Sequence, residues 1–105
     1  MFKITALQQT ADDVNTETLT GDKTLTVNDV AMQILDPGGS NRNVVLPAEE
    51  HSVGLSFVIR NSADAAEILT VQNDASGTVC TPTQNETALV WCNGVTWYGI
   101  TGFHN

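Results

Sequence analysis

The sequence predicts an all-β domain: a compact antiparallel β-sandwich or small barrel of about eight short strands, with an extended N-terminal arm. Three observations carry this. Fourteen threonines in 105 residues favour sheet, because Thr is β-branched and tolerated on a solvated strand face. Short apolar runs recur between turn residues about every eight to twelve positions. No stretch keeps a helical period for three turns.

Residues 1–17 are read as the arm, because Ala11-Asp12-Asp13-Val14-Asn15-Thr16-Glu17 is polar, acidic and without clear period. Residues 18–105 are read as a single β domain. Leu19-Thr20 and Thr24-Leu25-Thr26-Val27 alternate apolar residues with Thr around the turn dipeptide Gly21-Asp22. Ala31 to Leu35 runs into Asp36-Pro37-Gly38-Gly39-Ser40-Asn41. That cluster reads as a loop, since Pro removes a donor and Gly permits positive φ. Asn43-Val44-Val45-Leu46 is stopped by Pro47. Leu55, Phe57 and Ile59 then point one way and Ser56, Val58 and Arg60 the other, which makes the clearest strand. Runs at 68–71, 78–81 and 87–92 follow. Asn93-Gly94 separates Val90-Trp91-Cys92 from Thr96-Trp97-Tyr98, a signal for a type I′ hairpin. Ala48 to His51 and Ser62 to Glu67 could each make one helical turn. No repeat of about 20–50 residues is visible.

Twelve carboxylates against four basic residues give a formal charge of −8. Nucleic-acid binders neutralise phosphates with Lys and Arg, and here Lys3, Lys23, Arg42 and Arg60 form no stripe. Nucleic acid and anionic membranes are therefore not expected as partners. The acidity suits solubility, or docking on a basic protein surface. Met1-Phe2-Lys3-Ile4-Thr5 opens no signal peptide, and no apolar run reaches membrane-spanning length. Cys80 and Cys92 fit no metal pattern and are expected as free thiols, although their runs could face each other across a hairpin.

No constellation makes a credible active site. Glu49-Glu50-His51 groups possible ligands, but sequence neighbours on an extended chain diverge. Asp12-Asp13 lacks the alternating oxygens and sharp Gly of a calcium loop. Asp36-Pro37-Gly38-Gly39-Ser40 has neither the Lys nor the following helix of a phosphate loop. No Gly-x-Ser-x-Gly elbow occurs, and both histidines look peripheral. The chain is expected to be non-enzymatic, with no catalytic, cofactor-binding or metal-binding residues. Trp91, Trp97 and Tyr98 could form a sugar-stacking platform, although core packing is the expected fate of at least one of them.

One composite pattern stands out. Val44-Val45-Leu46-Pro47 is followed by Gly54 and Phe57-Val58-Ile59-Arg60-Asn61. Leu69-Thr70-Val71, Gly77-Thr78-Val79 and Thr87-Ala88-Leu89-Val90 come next, and then Gly94 leads to Trp97-Tyr98-Gly99-Ile100. This order, over residues 36–100, resembles the small β domains of tailed-bacteriophage virion proteins, both head decoration (cement) proteins and tail-fibre domains. The resemblance implies structural roles for Leu46, Pro47, Phe57, Ile59, Gly94, Trp97 and Tyr98 in the core and last hairpin. A chain running from Met1 to Asn105 favours the decoration protein over a fibre segment. That reading implies a homotrimer formed in the host cytoplasm, placed on the capsid exterior and bound to the major capsid protein. Phe2, Ile4, Leu7 and Val14, in the arm, are the expected partner-binding residues. A tail-fibre receptor- or glycan-binding module is the alternative.

Overall fold

The computed structural model describes residues 13–103, which form two sheets and contain no α-helix. In the first sheet β1 (Val14–Thr18), β3 (Met32–Asp36) and β5 (Ser56–Asn61) run parallel. Two further strands, β8 (Thr87–Cys92) and β9 (Trp97–Gly102), continue it antiparallel, giving the order β1-β3-β5-β8-β9. In the second sheet β2 (Lys23–Thr24), β4 (Arg42–Val45) and β6 (Leu69–Gln72) are parallel, and β7 (Thr78–Cys80) is antiparallel to β6.

The all-β expectation holds, but the purely antiparallel pairing does not. From β1 to β6 the chain alternates between the sheets, so sequence neighbours never pair in that stretch. Gly21-Asp22 and the Asp36–Asn41 cluster carry the chain from one sheet to the other and close no hairpins. The winding is also irregular. Eighteen residues separate Val14 from its partner Met32, and twenty-six separate Met32 from Val58. That irregularity hides the coils from a search for repeats. Strand β1 spans residue 17, the expected end of the arm, and Phe2, Ile4 and Leu7 lie outside the described residues.

Alternation on each strand builds one core between the sheets. Leu35, Phe57, Ile59, Ala88, Val90 and Trp97 face inward from the first sheet. Val44, Leu69 and Val71 meet them from the second, with Leu25 and Leu46 just beyond their strands. Phe57 is fully buried, with its ring centroid 6.1 Å from that of Trp97. At the N-terminal end the inner face turns polar. Asn15 donates to Gln33 Oε1 (2.8 Å) and Glu17 Oε1 (3.0 Å), and Lys23 pairs with Glu17 at 2.9 Å across the sheets. The Lys23 ammonium and the Asn15 amide hold the Glu17 carboxyl below its ordinary value.

Asn61 joins the crossing loops. Its buried amide donates to the carbonyls of Glu67 (2.9 Å) and Pro82 (3.0 Å) and accepts from Ala63 N–H (3.0 Å). Gly38, at φ +77°, passes so close to the Leu19 carbonyl that a Cβ would lie 2.3 Å from its oxygen. Of the two expected helical turns only Glu49–His51 forms, as a 3-10 turn. The β8–β9 turn also differs from the type I′ form, with positive φ at Gly94 alone. Asn93 accepts instead from the N–H groups of Val95 and Thr96, which closes a wider loop. Cys80 and Cys92 are free, and burial pushes the Cys80 thiol up to about 11.

Asn61→Ala leaves the Glu67 carbonyl and the Ala63 N–H without their partner, while the Pro82 carbonyl still accepts from Leu69 N–H at 3.1 Å. Each unpaired buried group costs roughly 1–3 kcal/mol, so urea unfolding is expected to show a loss of at least about 2 kcal/mol. Phe57→Ala is expected to cost about 3–5 kcal/mol by cavity formation.

Candidate docking face

The outer surfaces of the two sheets differ in kind. On the second sheet the outward residues Thr24, Asn43, Thr70, Gln72 and Thr78 are polar, with Val45 the exception. That is the usual pattern for a sheet with one solvated face. On the first sheet the outward positions are Val14, Met32, Val58, Leu89 and Ile100, and register places them in one row across all five strands. The neighbouring row sets Trp91 beside Tyr98 and Ser56, and the row on its other side holds Ile34 and Arg60. Val14, Met32, Leu89, Trp91, Tyr98, Ile100 and Phe103 are all exposed, with Ile100 at 59%. Single exposed apolar residues are ordinary, whereas a contiguous patch marks an interaction surface.

Charge is nearly excluded from this surface. Each of its five strands offers three outward positions, and among them stand one carboxylate, Asp36, and one guanidinium, Arg60. Both are engaged locally. Asp36 Oδ1 accepts from Gly38 N–H (2.9 Å), and Arg60 Nη1 donates to Thr87 Oγ1 (3.4 Å). On a chain of net charge −8 this is an uneven distribution.

The aromatic residues of the last hairpin divide by strand parity. Trp97 points inward, 5% exposed, and its Nε1–H donates to the Pro47 carbonyl at 2.9 Å. This bond joins the Leu46-Pro47 and Trp97-Tyr98 segments, fifty residues apart in sequence. Trp91 and Tyr98 point outward as a stacked pair with centroids 5.9 Å apart. Trp91 and Trp97 thus lie on opposite faces. Of the residues expected in the core or hairpin, Leu46, Phe57, Ile59 and Trp97 are buried, and Pro47 and Gly94 are partly so. Tyr98 lies in the hairpin but belongs to the outer face. Val14, expected to bind a partner, begins the apolar row.

The remaining clusters are acidic. Glu49, Glu50 and Asp74 come together, as do Asp36, Asp64 and Glu67, with ligand atoms within 4.8 Å of one another in each group. His51 is exposed on its 3-10 turn and belongs to neither group. It borders an open depression of about 630 Å³ lined by Leu25, Val27, Pro47 and Val53. Compared with known protein families, curated proteins and solved structures, the chain matches none.

Opposite placement of the two tryptophans is directly measurable. In dilute solution Trp97→Phe, which keeps Trp91, is expected to be quenched by acrylamide several-fold more steeply than Trp91→Phe. Equal slopes would contradict the assignment.

Proposed function

We propose that this chain is a non-enzymatic virion module of a tailed bacteriophage, a decoration protein that binds the outside of the assembled head and stabilises it. The observation that carries the reading is the apolar, charge-poor outer face of the five-stranded sheet on an otherwise acidic body. Such a surface fits a protein contact and suits neither phosphate nor an anionic membrane. The ordered pattern from Val44 to Ile100, whose two ends meet in the Trp97–Pro47 hydrogen bond, supports the phage assignment. Self-association and binding to the major capsid protein belong to the same proposal.

The mechanism is mass action. A ligand that binds only the assembled shell shifts the equilibrium away from its rupture. Rigid strands suit this role, because little conformational entropy remains to be lost on docking.

A second reading is favoured by the exposed Trp91–Tyr98 pair, whose rings offer a stacking surface for a sugar on a tail-fibre module. Cryo-electron microscopy of the purified virion separates the two. Decoration places density on the outer capsid surface, and heads lacking the protein should release DNA at lower temperature until it is added back. Density confined to the tail tip would establish the second reading, and absence from the virion would refute both.

A further inference from the structure

We propose that the partner seated on the outer face of the five-stranded sheet is a second copy of this chain. The inference rests on reading that face as a protein contact, and it is independent of where in a particle the protein sits.

Charge decides between a foreign partner and a copy. A basic partner would be recognised by carboxylates within the contact, but Asp36 is the one carboxylate among the outward strand positions. It stands at the end of its strand, where it accepts from Gly38 N–H and meets Asp64 and Glu67. Over those outward positions the formal charge, Asp36 against Arg60, is zero. Two chains of charge −8 repel each other over most orientations. The outer face of the first sheet is where they can approach with few opposing carboxylates, the Asp36 corner with Asp64 and Glu67 being the exception. A neutral apolar surface is complementary to itself.

Shape and size agree. Sheets pack face to face about 10 Å apart through interdigitated side chains. The row Val14, Met32, Val58, Leu89, Ile100 supplies such side chains across the full width of the sheet. Five strands about 4.8 Å apart and five residues long cover roughly 400 Å² in plan. Side-chain relief brings two such faces to about 1,000 Å² buried, at the lower end of specific interfaces, so association is weak and depends on concentration.

The test is light-scattering mass on the purified chain from about 1 µM to about 1 mM. The mass is expected to rise from 11.2 kDa to a defined multiple. Leu89→Lys, Leu89→Glu and Ile100→Lys should each weaken association at least about tenfold with unchanged circular dichroism. Agreement between Lys and Glu marks desolvation, and not charge sign, as the cause. Thr70→Lys, on the outer surface of the second sheet, should leave association intact. A wild-type mass of 11.2 kDa throughout the range overturns the proposal, as does dissociation by Thr70→Lys equal to that by Leu89→Lys. A monomer that still binds heads removes the second copy and all self-association, and keeps the head-binding part of the decoration reading. An oligomer that ignores heads does the reverse.

Discussion

Strand β5 is the constraint on which the rest of the structure depends. It is the middle strand of its sheet, parallel to β3 on one side and antiparallel to β8 on the other. Its inward residues, Phe57, Ile59 and Asn61, are fully buried. Phe57 and Ile59 fill the space between the sheets, while the Asn61 amide replaces water for three backbone groups in the crossing loops. A one-residue slip would turn these side chains to solvent and bury Arg60. Register is therefore fixed here, and with it the alignment of Val58 between Met32 and Leu89 that makes the outer row continuous.

Much of this was legible in the sequence, and the unread part has a physical cause. Strand positions follow from local alternation and turn chemistry, so Leu55 to Arg60 and the last hairpin could be placed directly. Pairing partners could not, because β1 to β6 alternate between sheets and parallel neighbours lie eighteen to twenty-seven residues apart at unequal spacings. Turn residues that carry a chain between sheets look the same as those that close hairpins. The outer face had a signal that local reading missed. Ala88-Leu89-Val90-Trp91-Cys92 is apolar at every position, and a strand without polar alternation is one that expects cover on both faces. The alternate residues of that run are the ones that remain exposed.

The same economy explains the functional reading. Three fully buried polar side chains serve structure: Asn61 bonds the loops, Gln33 bonds Val30 and Asn15, and Ser52 bonds Ala48. The acidic groups lie mainly at turns and loop tips, where they leave the middle of the first sheet's outer face free of charge. Such a build suits the proposed role of a protein that acts through contact. In the proposed role, weak self-association would add to shell binding by avidity, since linked copies dock together and gain effective concentration without a new contact.

The central claim is that the outer face of the five-stranded sheet is covered in the working protein. Side-chain oxidative footprinting tests it most directly, because Met32, Trp91 and Tyr98 are reactive residues that report on that face. The account predicts strong protection of all three in the assembled particle relative to the dilute protein, with the inward-facing Trp97 slow in both. Equal labelling of Met32, Trp91 and Tyr98 in the two states would contradict it.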